Sequence, residues 1–122
     1  MPKLLPPIHP GEILREDLLK PLNLSVNQFA KALAVDTTRL NEIVHGRRSI
    51  TADTALRLSR YLGTSAKFWL NLQSDYDLRV AQQTKLKEIE RTVQPRPITW
   101  RADLAEARAE WKRRYSKRNE TP

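Results

Sequence analysis

The sequence predicts an all-α protein, in which a bundle of five helices is followed by an amphipathic helical extension. Apolar residues recur three and four positions apart over most of residues 10–90 and again over residues 99–122. Prolines and glycines interrupt this pattern where helices should start or stop. Residues 24–50 are the most informative segment, because they predict two short helices joined by a tight turn, which is typical of DNA-binding proteins.

The chain should begin with an extended arm over residues 1–9, since Pro2, Pro6 and Pro7 disfavour helix there. Pro10 suits the first turn of helix one, where a missing amide costs nothing. Helix one should continue to about Pro21. Its predicted core-facing residues are Ile13, Leu14 and Leu18, with Leu19 as a further candidate.

Helices two and three form the predicted helix-turn-helix. Ser25 should cap helix two and Asp36 helix three, because both side chains accept hydrogen bonds from the free amides of a first turn. Ala34 and Val35 close helix two, and Gly46 ends helix three. The predicted core residues are Val26, Phe29, Ala30 and Leu33 in helix two and Leu40, Ile43 and Val44 in helix three.

Helix four should be capped by Thr51 and ended by Gly63. We predict that its apolar side consists of Ala55, Leu56, Ser59 and Leu62. Helix five should start near Ser65 and run on through Leu86 and Ile89, with an aromatic-rich face of Phe68, Trp69, Leu72, Tyr76 and Val80.

Two adjacent aromatic residues on one helix cannot face the same way, so one of Phe68 and Trp69 should lie on a second surface. A homodimer interface is the natural use of that surface, because helix-turn-helix proteins gain affinity by pairing half-sites. The predicted interface residues are Phe68, Trp69, Leu72 and Tyr76, although such a stripe also suits the core of the bundle.

Residues 91–98 are predicted to form a stiff linker, because Pro95 and Pro97 disfavour helix. Thr99 should cap a last helix that runs to about Lys117 within the extension, residues 99–122. Its apolar face consists of Trp100, Leu104, Ala107, Trp111 and Tyr115. A single helix of this length is marginal in water, so the extension should either dock on a surface or stay disordered.

Composition is consistent with a nucleic-acid partner without proving one. The 122 residues carry a net charge of +8, which attracts DNA but equally RNA, membrane headgroups or an acidic protein. The chain has no cysteine, so disulfides and thiol chemistry are excluded. No run approaches the roughly 20 apolar residues of a membrane span, and we expect a soluble cytoplasmic protein.

The start of helix three should read DNA bases, because the N-terminal turn of a recognition helix points into the major groove. Threonine can offer a methyl group to thymine, asparagine can bind adenine with two hydrogen bonds, and arginine can bind guanine or a phosphate. Glu42 is a weaker candidate, since a carboxylate near phosphates more often pairs with a cation. The predicted base-reading residues are Thr37, Thr38, Arg39 and Asn41.

Phosphate contacts are predicted on both sides of this helix. Ser25, Asn27 and Gln28 lie at the start of helix two, where free amides and the helix dipole attract an anion. Arg47 and Arg48 directly follow Gly46 and should form a second phosphate contact, the alternative being a solvated loop.

No set of residues in the sequence suggests catalysis. His9 and His45 are the only histidines, and neither has a second ligand at metal-binding spacing. His45 instead suits a helix C-terminus. No nucleophile elbow, phosphate-binding loop or paired-carboxylate motif is present. We therefore expect no enzymatic activity, no metal and no cofactor.

Four sequence segments resemble one family. These are HPGEIL at residues 9–14, the helix-turn-helix, GRRSIT at residues 46–51, and FWLNLQ at residues 68–73 with YDL at residues 76–78. Over about residues 8–80 the chain resembles the HigA-type antitoxins of the Xre, or lambda repressor-like, superfamily.

The resemblance implies a protein that dimerises, binds a palindromic operator in its own promoter and neutralises a cognate HigB-type toxin, which is a RelE-like ribonuclease that cuts messenger RNA. The matching recognition residues are Thr37, Thr38, Arg39 and Asn41, with Arg47 in the basic loop. The alternative is a stand-alone Xre-family regulator or phage repressor without a toxin. The extension could pack on its own bundle or dimer partner, fold onto the toxin, or bind an anionic surface.

Overall fold

In the computed structural model of the protein, residues 6–96 and 100–116 are described, with side chains in the second range from Leu104 onward. These residues form helices and no strand, which confirms the all-α prediction. Contacts divide the chain into two units, Met1–Leu86 and Lys87–Pro122. The helices are α1 Pro10–Ile13, continued by a π-helical segment Leu14–Leu19, then α2 Val26–Leu33, α3 Thr37–Val44, α4 Ala52–Leu62, α5 Ala66–Thr92 and α6 Trp100–Tyr115.

The core of the first unit is built from apolar residues on each of the first five helices. Phe29, Leu40 and Leu58 are fully buried at its centre, and partly buried residues such as Ile13, Leu18 and Val26 pack around it. The predicted core residues of the helix-turn-helix are thus confirmed. The buried apolar set is Leu14, Leu19, Phe29, Ala30, Leu33, Leu40, Ile43, Val44, Ile50, Ala55, Leu58 and Trp69.

Helix one departs from the expected regular α-helix after one turn. The amide of Lys20 donates to the carbonyl of Arg15 over 3.1 Å, a bond between residues five apart that is typical of a π-helix. A π-helical turn brings residues five apart towards the same face. Leu14 and Leu19 are therefore both buried, whereas an α-helix would turn them to different sides.

Of the three predicted N-caps that lie among the described residues, two are correct and one is wrong. Ser25 forms a complete capping box with Gln28, and Thr51 accepts a hydrogen bond from the amide of Thr54. Asp36 occupies the N-cap position of α3, but its side chain makes no hydrogen bond to the first turn, so the prediction of a side-chain cap is wrong. Ala34 ends α2 with a left-handed backbone at φ 56°, and Gly63 ends α4 in the same conformation.

The predicted apolar side of α4 is wrong at one residue. Leu56 is exposed, whereas Leu58 is fully buried together with Thr54 and Ala55. The buried positions 54, 55 and 58 keep helical spacing, and the hydroxyl of Thr54 is satisfied by hydrogen bonds that let it lie inside.

The two adjacent aromatic residues of α5 face different ways, as predicted. Trp69 is buried and its indole nitrogen donates to Thr64 over 2.7 Å, while the Phe68 ring is 46% exposed. Trp69 therefore contributes to the core rather than to the predicted interface surface. Tyr76 is half-buried with its ring against His9, and Leu72 packs against the core.

The second unit contains the end of α5 and α6. In α6, Trp111 is exposed and its ring lies 5.4 Å from that of Tyr115, which fits the predicted amphipathic face. The predicted cap Thr99, the linker residue Pro97 and the predicted end Lys117 lie outside the described residues. None of the described helices has the length and apolar character that a membrane crossing requires.

Candidate nucleic-acid interface

The helix α3 buries one edge and presents a polar edge to solvent. Leu40, Ile43 and Val44 are almost completely buried. Thr37 and Thr38 are exposed in the first turn, and Asn41 is half-buried one turn later. Because Thr38 and Asn41 are three residues apart, they lie on the same side of the helix. The predicted base-reading residues therefore form a polar strip at the start of α3.

The C-terminal end of α3 is held by the segment that follows α1. The Arg15 guanidinium donates to the carbonyl of Val44 over 2.9 Å and so satisfies one of the free carbonyls at the end of α3. At the exposed His45, which follows α3, Nδ1 lies 2.7 Å from the carbonyl oxygen of Asn41. This contact agrees with the expectation that His45 suits a helix C-terminus.

A close backbone approach also fixes the position of α3 relative to α1. A Cβ atom on Gly11 would lie 1.7 Å from the carbonyl oxygen of Ile43, a separation that no side chain tolerates. Only glycine permits α1 to pass this close to α3.

Near the start of α3, Arg39 is engaged by α4. Its guanidinium lies 3.1 Å from the Asp53 carboxylate and also donates to Thr51 and Thr54. These bonds hold the Arg39 side chain against α4. Arg39 would therefore have to break them before it could contact a base. The same carboxylate accepts from Arg57 over 2.9 Å. Hydrogen bonds from Arg57 and Arg39 hold the pKa of Asp53 below its usual value, which keeps the carboxylate ionised.

The second helix also has a fixed C-terminal end. Arg57 donates to the carbonyls of Leu33 and Ala34, each over 3.1 Å. Asp53 pairs with this guanidinium and also with that of Arg39 in α3. One carboxylate on α4 is therefore linked to the end of α2 through Arg57 and to the start of α3 through Arg39.

The loop after α3 carries two arginines in different settings. Arg48 forms an ion pair with Glu42 over 3.0 Å, so Glu42 is a partner of a cation here. Arg47 is exposed, and among the described residues its side chain has no ion-pair partner. Arg47 is therefore the more available of the two for a phosphate.

The loop is anchored on both sides. Gly46 has φ +74°, a left-handed conformation that turns the chain out of α3. At the other end, the amide of Ile50 donates to the buried Gln73 side chain over 2.8 Å, and Gln73 donates in turn to Asp77. The arginines thus lie between two fixed points.

At the start of α2, the capping box uses part of the predicted phosphate site. The Ser25 hydroxyl accepts from the backbone amide of Gln28, and the side-chain oxygen Oε1 of Gln28 accepts from the backbone amide of Ser25. The amide group of the Gln28 side chain and the exposed Asn27 side chain remain as donors on this surface.

Sequence reasoning missed the residues that hold the site in place. Arg15, Arg57 and Gln73 act on backbone atoms 23 to 29 residues away in sequence, and no local pattern indicates such contacts. His9 could have been found, because a polar residue directly before Pro10 occupies an N-cap position. Its Nδ1 accepts from the amide of Gly11 over 2.9 Å.

Comparisons with known proteins agree with this architecture. A helix-turn-helix family model matches residues 14–69. The virulence-associated protein I of Dichelobacter nodosus is 60% identical over 81 residues, covering 66% of this chain and 75% of the relative.

Two solved structures are also similar. An addiction module antidote protein of a HigA family from Coxiella burnetii is 52% identical with a TM-score of 0.70, covering 75% of this chain and all of that chain. The Pseudomonas aeruginosa antitoxin HigA, solved with the higBA promoter, is 48% identical with a TM-score of 0.70, covering 73% of this chain and 97% of that chain. With these identities, coverages and a matching helix-turn-helix, the chain belongs to the HigA family of Xre-type helix-turn-helix antitoxins.

Proposed function

We propose that this protein is a cytoplasmic antitoxin that represses its own promoter and neutralises a toxin by binding it. As a homodimer it reads a palindromic operator through α3, and its toxin is a HigB-type, RelE-like enzyme that cuts messenger RNA. The observation that carries the proposal is the polar strip of exposed Thr37 and Thr38 and half-buried Asn41 on a helix fixed at both ends. The similarity of this chain to a HigA antitoxin solved with promoter DNA supports the same proposal.

Base reading and phosphate contact should be separable by mutation. Thr38→Ala or Asn41→Ala should reduce operator preference, since each base-edge contact contributes about 1–3 kcal/mol of discrimination. Arg47→Ala should weaken binding to every sequence and reduce the salt dependence by about one phosphate contact. The measurement is a gel-shift titration against operator and scrambled DNA at several salt concentrations.

Arg60→Ala is the matched control for Arg47→Ala, because it removes the same charge from an exposed position in the last turn of α4, outside the proposed phosphate contacts and the proposed dimer interface. It should bind operator DNA nearly as the wild type does. If Thr38→Ala and Asn41→Ala both retained wild-type operator preference, α3 would not be the reading helix.

The dimer interface is proposed to include the exposed side of α5 around Phe68. In the first unit, Phe68, Leu78 and Leu86 are all exposed, and at 100° per residue they fall within roughly 80° on the helix. Leu72 and Tyr76 contribute only through their exposed edges, because both are partly buried in the monomer.

Phe68→Glu should therefore weaken the dimer, measured as mass by sedimentation at several concentrations. Lys67→Gln is the matched control, since it changes the net charge by the same amount at the neighbouring exposed position. An unchanged dimer in Phe68→Glu would place the interface elsewhere.

Neutralisation is proposed to be stoichiometric occlusion. Titrating the protein against the toxin encoded beside it should stop messenger cleavage at a fixed molar ratio, with no covalent change in either chain. Time-dependent inactivation below that ratio would indicate an enzyme instead.

A stand-alone regulator is the competing function, and the genetic context separates the two. An antitoxin gene should lie directly beside a small open reading frame whose product binds this protein. If no such product exists while operator binding persists, the protein is a regulator without a toxin.

A further inference from the structure

We propose that His45 binds a backbone phosphate of the operator through Nε2 of its protonated ring, so that DNA binding takes up a proton. The inference rests on the proposed DNA-binding function. It gives His45 a role beyond its place at the end of α3, and it makes operator affinity depend on pH.

His45 lies on the exposed side of α3, in line with the polar strip. At 100° per residue, Thr38, Asn41 and His45 fall within about 60° on the helix. The backbone amide of His45 donates to the carbonyl of Asn41 over 3.2 Å, so His45 keeps the helical register. The strip that carries the proposed base-reading residues therefore continues to His45, which is exposed.

His45 also lies between the two sets of proposed phosphate contacts. Ser25 at the start of α2 and His45 line one cleft, and Arg47 follows two residues after His45. The axial rise from Thr37 to His45 is about 12 Å, which matches the roughly 12 Å width of the major groove. With the first turn of α3 among the bases, the far end therefore emerges at the edge of the groove, where the phosphates lie.

One ring nitrogen of His45 is engaged and the other is free. Nδ1 lies 2.7 Å from the carbonyl oxygen of Asn41, which can only accept a hydrogen bond, so Nδ1 carries a proton. Within the part of the chain that the structure describes, Nε2 has no hydrogen-bond partner. In the neutral ring Nε2 is an acceptor, and a backbone phosphate has no proton to donate to it. A phosphate contact therefore requires the protonated ring, in which both nitrogens donate.

Most charged groups near the ring are already paired with one another. Arg15 and Lys20 line the cleft shared with the start of α2, and both form ion pairs with Glu16. In the loop after α3, Arg48 pairs with Glu42. The titratable groups of a second cleft beside the ring are Glu12, His9 and Tyr76. These neighbouring charges largely cancel, so a phosphate at Nε2 would be the dominant charge acting on the ring.

The first experiment is operator binding measured between about pH 6 and pH 8, a range in which histidine changes its charge. In the wild type, affinity should fall on the order of tenfold per subunit as pH rises, which is the size of one charge-assisted hydrogen bond. The slope of log K against log salt should be steeper at the lower pH, by about 0.9 for each His45 that binds a phosphate.

Two substitutions separate the charge of His45 from its place at the end of α3. His45→Gln keeps a polar side chain without a charge, so its affinity should not change with pH and should stay near that of the wild type at pH 8. His45→Lys keeps a cation throughout, so its affinity should stay near that of the wild type at pH 6. His9 is present in all three proteins, so its own titration cancels in the comparison. Similar melting temperatures of the three proteins check the fold.

A second experiment changes the DNA instead of the protein. Neutral methylphosphonate linkages are placed in the operator one position at a time. One linkage should remove the pH dependence of the wild type, because it removes the charge that the protonated ring contacts. The same linkage should cost His45→Gln much less affinity than it costs the wild type at pH 6.

The outcomes distinguish this inference from the proposed function. Equal pH profiles in the wild type and His45→Gln would overturn the inference and leave operator binding standing. Affinity that rises with pH in the wild type alone would also overturn it, because Nε2 would then accept from the amino group of a base. A wild-type protein that binds no duplex at either pH would overturn the proposed function, and this inference with it.

Discussion

At the scale of single residues, Gly11 shows how a local preference can be overruled by a distant contact. The residue is in the first turn of α1, where alanine is the better helix former by about 1 kcal/mol. Its position is set instead by α3, because a Cβ there would overlap the carbonyl oxygen of Ile43. A backbone carbonyl cannot rotate away as a side chain does. The cost of this clash should therefore exceed the gain in helix propensity from alanine.

Gly11→Ala should therefore destabilise the protein, at the upper end of the roughly 1–3 kcal/mol typical of overpacking. For a domain of this size each kcal/mol lowers the melting temperature by about 4–8 °C. Gly63→Asn is the control, since Gly63 has open space around it and asparagine tolerates its left-handed backbone. A Gly11→Ala protein as stable as the wild type would show that α1 and α3 can separate without cost.

His9 should also make stability depend on pH. Burial lowers its pKa in the folded state below the ordinary 6.5, so the unfolded chain binds the proton more readily. The contribution of neutral His9 is then complete above about pH 6.5 and decreases as pH falls from there towards the folded-state pKa.

The measurement is the urea midpoint at pH 7.5 and at a pH between 5 and 6. His9→Asn is the reference that removes only this group, while the depressed pKa values of Glu16 and Asp53 act at lower pH. An identical pH dependence in both proteins would mean that His9 does not titrate differently on folding.

At the scale of elements, α3 is a short helix whose ends are fixed by its neighbours. Arg15 holds its last carbonyl, and Arg39 ties its first turn to α4. A helix of eight residues is unstable alone, so these contacts and the burial of Leu40 and Ile43 determine its position.

Arg39→Ala should accordingly reduce stability by about 1 kcal/mol, because it removes a partly exposed ion pair and hydrogen bonds to α4. Base preference should change less than in Asn41→Ala. Lys31→Ala is the control, an exposed cation of α2 that has no ion pair among the described residues. If Arg39→Ala kept the wild-type melting temperature but altered base preference, Arg39 would read a base directly.

The elements show which features sequence reasoning can reach. Helix limits and the caps Ser25 and Thr51 were predictable, because capping depends on residues within one turn. The π-helical segment, the burial of Thr54 and the contacts of Arg15 depend on partners far along the chain, which no local pattern indicates. For the site, the exposed face of α3 was predictable, whereas the engagement of Arg39 by α4 was not.

At the scale of the whole molecule, the apparatus for DNA binding lies within the first unit. The helices α1 to α4 and the apolar core fall inside Met1–Leu86, as does Gln73, which contacts the loop after α3. The extension is a separate element of the sequence.

Deletion of residues 94–122 should thus leave operator recognition intact. The gel-shift preference of the truncated protein for operator over scrambled DNA should equal that of the full chain. Loss of that preference would show that the extension takes part in reading DNA.

The toxin affinity and the dimer mass of the same truncated protein decide what the extension binds. A loss of dimer mass with unchanged toxin binding per chain would exclude wrapping of the toxin.

The distribution of tryptophan gives this molecule a built-in optical reporter. Trp69 is enclosed in the core with its indole nitrogen bonded to Thr64, whereas Trp111 is largely open to water in α6. Trp100 and Trp111 are both removed with residues 94–122, so the truncated chain retains Trp69 as its single tryptophan. Its emission should start at short wavelength and shift to longer wavelength only when the first unit unfolds. In the full chain, the fluorescence of Trp111 should instead shift to shorter wavelength when a binding partner covers the extension.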